Sequence, residues 1–315
     1  MVSKKYNILV TGCGGDIGQS IGKILKQEDI FVNVFGCDIN DQHAGKFIFD
    51  KCSVVPECRS VGYMDALRKI IKEFRIDIVL PASEPELRFF TQEKLYGKLF
   101  DKPLVTANLN TMKIGFDKLL TTEFLKNEGL PFPVTQIASD EKEPNLPVIM
   151  KSRNGSGSKS LFLIKEMNDY NFYRKKYPDF IVQELIENDD AEFTCGVFRD
   201  SKGNVRIISY KRKLMGGFSG FGIVIQNNEI DELLLNIAEK IDLRGSINVQ
   251  LRLSNRGPLV FEINPRFSST VMFRHLMGFK DVIWSIQDQM GDSISDYTEP
   301  KIGTKFYKGF CEYID

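Results

Sequence analysis

Four polar side chains at alternate positions carry the clearest chemistry of this chain. Asn248 and Gln250 lie in the run Ser246-Ile247-Asn248-Val249-Gln250-Leu251-Arg252, and Glu262 and Asn264 in Leu259-Val260-Phe261-Glu262-Ile263-Asn264-Pro265-Arg266. Polar and apolar residues alternate through both runs, and the link Ser254-Asn255-Arg256-Gly257-Pro258 is rich in turn formers, so the pair reads as an antiparallel hairpin. A loop over 254–258 sets Gln250 opposite Glu262 and Asn248 opposite Asn264, and the period of two places all four on one face. One carboxylate among three amides makes an oxygen-rich, weakly charged cluster suited to a hard cation that also takes phosphate oxygens, magnesium above others. Pro265 ends the ladder and leaves Arg266 beside that cluster.

A second segment has the chemistry of polyphosphate binding. Val148-Ile149-Met150-Lys151 is a short apolar strand that ends in a cation and runs into Ser152-Arg153-Asn154-Gly155-Ser156-Gly157-Ser158-Lys159-Ser160. Glycines let backbone N–H groups approach oxygens, and Lys151 supplies a point charge. No Gly-Lys-Ser/Thr follows at the spacing of a P-loop, and a plain hairpin tip is the simpler alternative. Farther along, a polar loop is expected over Tyr210 to Gly222, carrying Lys211, Arg212 and Lys213 beside its glycines. Cations beside glycines and near a metal suit a transferring phosphoryl group; which of the three faces inward is open.

Together these segments resemble the ATP-grasp ligases, most closely a synthetase unit of the carbamoyl phosphate synthetase large subunit. There an Asn-Val-Gln strand precedes a Glu-Met-Asn-Pro-Arg strand, against which this chain differs only at Ile263. The resemblance implies a flap at Gly155, Ser156, Gly157 and Ser158, departing from the usual pattern at Ser152 (Pro is common) and Ser160 (Gly is common). It implies that Lys118 and Lys151 contact phosphates. Gln183, Glu184, Leu185 and Ile186 would form the hinge strand at the adenine, and Glu192 would take the ribose hydroxyls. Gln250, Glu262 and Asn264 would hold two magnesium ions, with manganese as an alternative, and Arg266 would steady the transferring group. The motifs run from about 110 to 290, preceded by the Rossmann-like domain such enzymes commonly carry.

Composition bounds the rest. The chain has 315 residues, 42% of them apolar, enough for two or three domains. Lys plus Arg equals Asp plus Glu at 42 each, so net charge gives no reason to expect nucleic acid or an anionic membrane as partner. No apolar run approaches a membrane span of roughly 20 residues, and the start lacks a signal-peptide core. Six cysteines without a CxxC pair read as reduced thiols in a cytoplasm. With only His43 and His275, both expected to be surface or satisfied residues, a zinc site is not expected.

The elements that must position these groups are legible in outline. Strand and helix signals alternate over the first hundred residues: Tyr6 to Val10, a helix from about Ile17, Val32 to Asp38, a helix over Met64 to Phe74, and Ile76 to Pro81. That order indicates a doubly wound parallel sheet. A new unit begins near Asn108, where Phe116-Asp117-Lys118 opens an amphipathic helix; another helix spans about Ile230 to Ile241. The expected class is α/β, with α+β character in the ATP-grasp part. Its units are a Rossmann-like sheet over 1–107, a small lobe with the flap over 108–187, and a large lobe with the metal site over 188–315.

Two other readings compete. Thr11-Gly12-Cys13-Gly14-Gly15-Asp16-Ile17-Gly18 fits a dinucleotide loop, with Asp38 placed to hold a ribose, as in a nicotinamide-dependent sugar dehydrogenase or epimerase. Such an enzyme needs a helical Tyr-x-x-x-Lys. The only one here, Tyr297 to Lys301, contains Pro300. The third reading is a non-catalytic nucleotide-binding protein. The preferred expectation is a carboxylate–amine (or carboxylate–ammonia) ligase that uses Mg-ATP, forms an acyl phosphate and releases ADP and phosphate. Its partners would be a small carboxylic acid and an amine or ammonia, with homodimerisation open.

Overall fold

The computed structural model describes residues 5–155, 160–186 and 192–314. The first sheet is built from β1 (Tyr6–Thr11), β2 (Phe31–Asp38), β3 (Lys51–Val54), β4 (Ile78–Pro81), β5 (Gly97–Leu99) and β6 (Lys102–Leu104), interleaved with helices α1 (Asp16–Leu25), α2 (Tyr63–Glu73) and α3 (Glu84–Gln92). Strand order is β3-β2-β1-β4-β6-β5, and every pairing is parallel except the β5–β6 edge hairpin. Ile8, Leu9 and Val10 in β1 and Ile78, Val79 and Leu80 in β4 are all fully buried. A parallel sheet covered on both faces demands such unbroken apolar strands. Its strand ends gather the glycine loop after β1, Asp38 after β2 and Ser83-Glu84 after β4 along one rim.

A small antiparallel sheet follows, ordered β7-β10-β8-β9, from β7 (Thr135–Ile137), β8 (Val148–Lys151), β9 (Leu161–Ile164) and β10 (Ile181–Glu184), with α6 (Met167–Lys176) packed behind it. Two helices lead into it, α4 (Leu109–Gly115) and α5 (Lys118–Asn127). The helix expected from Phe116 starts at Lys118, because Asp117 caps it by accepting the N–H groups of Leu119 and Leu120.

The large sheet runs β15-β14-β11-β12-β13-β16. Its strands are β11 (Glu192–Arg199), β12 (Val205–Met215), β13 (Phe218–Ile225), β14 (Gly245–Ser254), β15 (Gly257–Asn264) and β16 (Lys305–Tyr307). One face buries Cys195, Val197, Val249 and Leu251 against α7 (Asn228–Lys240). The other packs Phe198 and Tyr210 with Trp284 of α9 (Asp281–Met290). Val271 and Met272 of α8 (Val271–Leu276), with Ile283 and Ile286 of α9, share a core with Ile8 and Val10 of the first sheet and Ile21 of α1, which ties the first unit to the large one.

Two sequence expectations need correction. The stretch from Tyr210 to Gly222 is not a loop: Lys211, Arg212 and Lys213 lie within β12 and pair with β13, Lys211 with β11 as well, and only Gly216 and Gly217 turn, both at positive φ. The β14–β15 turn is also tighter than the expected five residues, with Ser254 opposite Gly257. A bulge at Phe261 then restores the register, so that Gln250 still faces Glu262 and Asn248 still faces Asn264. Among the described residues, no helix is long and apolar enough to cross a membrane.

Candidate functional site

A cleft of about 750 Å³ opens between the small and large sheets. It is lined by Lys118, Lys151, Gly155, Gln183, Glu184, Leu185, Ile186, Glu192, Arg212, Gln250, Glu262, Asn264 and Arg266, so residues far apart in sequence converge on one space. Lys211 and Lys213 do not line it. Strand alternation explains this: Arg212 and Leu214 face the cleft, while their neighbours in β12 face away. Ser156, Gly157 and Ser158 lie outside the described residues.

Glu262 is the electrostatic centre. Burial alone would push its carboxyl up, but Lys118, Lys151 and Arg266 outweigh that and hold it below the usual carboxylate range. Lys118 Nζ sits 3.3 Å from Glu262 and donates to the Gly155 carbonyl at 2.6 Å, which links the start of α5 to the β14–β15 hairpin and to the glycine segment after β8. Asp117 accepts from Arg153 Nε at 2.7 Å, fixing the stem of that segment to the same helix terminus. Lys151 donates to Gln183 Oε1 at 3.0 Å and stands over the Phe261 ring. Burial pushes its ammonium down to about 8, with Glu262 opposing and Lys118 adding to the shift.

The other expected contacts are present with partners of their own. Arg212 Nη2 donates to Gln250 Oε1 and to Glu192 Oε1, both at 2.8 Å, and Arg252 donates to Glu192 Oε2 at 2.8 Å. Burial would raise Glu192, and these two guanidiniums bring it below its ordinary value instead. Glu184 pairs with Arg256 at the β14–β15 turn. Arg266 reaches Glu84 Oε2 at 3.3 Å, so the cation expected beside the metal is held by the first residue of α3. Asn248 is buried and makes its contacts toward the interior. Its side-chain oxygen already accepts from Thr194 at 2.9 Å and from Arg274, which is fully buried. It belongs to the floor of the site, and Gln250, Glu262 and Asn264 line the cleft beside it.

Sequence reasoning missed Arg252, Glu84 and Arg274. Arg252 had a signal, since it continues the Asn248, Gln250 alternation by one more period. Glu84 had a weaker one: it follows the end of a parallel strand, where such sheets place their ligand-facing groups. Arg274 had none.

The glycine loop after β1 is closed by the chain itself. Asp38 accepts the N–H groups of Gly14 at 2.8 Å and Ile39 at 2.7 Å, and a side chain on Gly14 would strike the His43 ring. The carboxylate proposed to hold a ribose is thus engaged. Tyr297 and Lys301 lie outside any helix, and the Tyr297 hydroxyl donates to the Ile207 carbonyl at 3.1 Å.

Residues 116–270 match the family model of the ATP-grasp domain, and residues 8–98 that of the PylC-like N-terminal domain. The chain carries an ATP-grasp domain. It is 26% identical over 281 residues to the carbamoyl phosphate synthase large chain of Sulfurisphaera tokodaii, covering 80% of this chain and 26% of that one. The fold is that of solved ATP-grasp structures. One is an ADP complex of N5-carboxyaminoimidazole ribonucleotide synthetase (TM-score 0.75, 14% identity, 96% of this chain and 81% of that one). Another is an L-amino acid ligase from Bacillus licheniformis (TM-score 0.70, 19% identity, 91% and 74%). The chain spans between about a quarter and a half of the length of the curated relatives it matches. In this ATP-grasp chain the small sheet and the large sheet form the two jaws of the cleft.

Proposed function

We propose that the chain is an ATP- and magnesium-dependent carboxylate–amine or carboxylate–ammonia ligase that acts through an acyl phosphate. The observation that carries the reading is Glu262, held ionised by Lys118, Lys151 and Arg266 at the base of a cleft whose cross-strand partner is Gln250. Gln250, Glu262 and Asn264 offer hard oxygen donors, the set that magnesium or manganese takes, and two such ions would neutralise polyphosphate charge there. Lys118 and Lys151 face the same space and would meet the phosphates upstream of the reacting one. Arg212 and Arg266 would face the transferring group. Gln183 to Ile186 supply the edge on which a purine would rest, and Glu192, held by Arg212 and Arg252, is positioned for ribose hydroxyls.

The carboxylate oxygen of the acceptor attacks the terminal phosphorus in line, and the bond to the leaving ADP oxygen breaks. No general base is needed for this step, because the nucleophile is already an anion, so the residues act by positioning and charge stabilisation. An amine nitrogen then attacks the acyl carbon, phosphate departs, and the nitrogen loses a proton. In this reading residues 1–107 form a Rossmann-like unit that helps to select the acceptor with Phe267 to Thr270, residues 108–187 the small lobe and 188–315 the large lobe. The acceptor would be a small carboxylic acid, and the reaction cytoplasmic.

Hydroxylamine in place of the amine tests the mechanism. With a panel of small carboxylates and Mg-ATP, a hydroxamate should accumulate in step with ADP. Chromatography showing AMP as the main product, or ADP formation indifferent to every carboxylate, contradicts it.

A further inference from the structure

Sequence counting argued against a zinc site, since there is no CxxC pair and only two histidines. The first sheet nevertheless assembles a compact set of metal-binding side chains. Cys13 follows β1 in the glycine loop, Asp38 closes β2, and His43 precedes the short turn Ala44–Phe47. Adjacent parallel strands end side by side, so these residues meet although they are far apart in the chain. One ligand atom from each of Cys13, Asp38 and His43 lies within 4.8 Å of the other two.

The separations suit a tetrahedral ion. Cys13 Sγ is 4.0 Å from His43 Nε2 and 3.9 Å from Cys52 Sγ in β3. Zinc bonds of about 2.3 Å to sulfur and 2.0 Å to nitrogen set tetrahedral edges of roughly 3.8 Å between sulfurs and 3.5 Å from sulfur to nitrogen. Both observed edges come within about half an ångström of these values, inside the adjustment side chains make on closing around an ion. The surroundings are also those of a ligand set. Asp38 is oriented by the N–H groups of Gly14 and Ile39, as ligating carboxylates are oriented by hydrogen bonds behind them. Nε2 is the His43 nitrogen turned to the sulfur, and Nδ1 is buried with no hydrogen-bond partner among the described residues. Cys13 is fully buried, which shields a metal thiolate from solvent.

We propose that Cys13, Asp38 and His43, with Cys52 next to Cys13, bind a borderline-soft divalent cation of the zinc type, Cys13, Asp38 and His43 being the ligands. The donors differ in kind from the all-oxygen set Gln250, Glu262 and Asn264, and none of the four lines the cleft. The ion would pin the loop after β1 to the end of β2 and to the segment before the Ala44–Phe47 turn, beside the helix α1 whose Ile17 borders the cleft.

Zinc is titrated into the full-length, reduced, metal-free protein against a chromophoric chelator, and cobalt is used as a spectroscopic probe. One equivalent of zinc should bind, and cobalt should give a thiolate-to-metal charge-transfer band. His43→Ala and Cys13→Ser should each weaken zinc binding by ~100-fold or more, at least the loss seen when a metal site's support is removed. Mg-ATP binding should be unchanged in both. Should Cys13→Ser fail to fold, His43→Ala decides the matter, because its ring is only half-buried. Zinc binding that neither variant weakens, or a cobalt spectrum without the thiolate band, overturns the site.

Discussion

Glu262 shows how far a single residue's chemistry depends on the cations around it. Read alone, a buried carboxylate should resist ionisation, yet three cations from α5, β8 and the turn after β15 reverse that preference. Glu262→Gln keeps the shape and removes the charge. Turnover should fall by at least about a hundredfold, the scale of one lost electrostatic stabiliser, with magnesium dependence weakened in the same assay. Apo stability should drop on the order of 1 kcal/mol by chemical denaturation, because Lys118 loses its partner. Unaltered turnover and magnesium dependence in Glu262→Gln would remove the residue from the site.

Lys151 gives a prediction in pH. Burial brings its ammonium to about 8 in the free protein, and a polyphosphate beside it would raise that value again. The proton is therefore taken up on binding above that pH. Nucleotide affinity should be highest below about 8 and fall as pH rises through it, by up to roughly tenfold per unit. Titrations across this range should show the fall in the native chain and lose it in Lys151→Met. A fall of the same steepness in the variant would assign it to another group.

At the scale of elements, what could be read from the sequence followed from local rules, and what could not followed from pairing across the chain. The β14–β15 register was legible because alternation fixes which residues share a face, even though the turn and the bulge both escaped notice and compensated each other. Helix α5 was legible from the apolar spacing that follows Phe116-Asp117-Lys118, but neither Asp117's capping of it nor the tie from Asp117 to Arg153 was. The orientation of β12 was not legible, because glycines in β13 look like a loop until their strand partners are known. Likewise nothing local announces that Glu84 will meet Arg266 across 182 positions, or that Cys13, Asp38 and His43 will share one corner.

On the scale of the whole molecule, the three sheets divide the work: the first closes its own glycine loop, while the small and large sheets enclose the cleft that gathers the cations and the oxygen donors. The central claim is that this cleft, and not the glycine loop, is where a nucleotide binds, and that magnesium governs the binding. Isothermal calorimetry with ATP and with NAD(H), each in the presence and absence of magnesium, tests it most directly. The account predicts binding of ATP at one site, strengthened by magnesium, with no comparable heat from NAD(H). Tight NAD(H) binding without a response to Mg-ATP would contradict it.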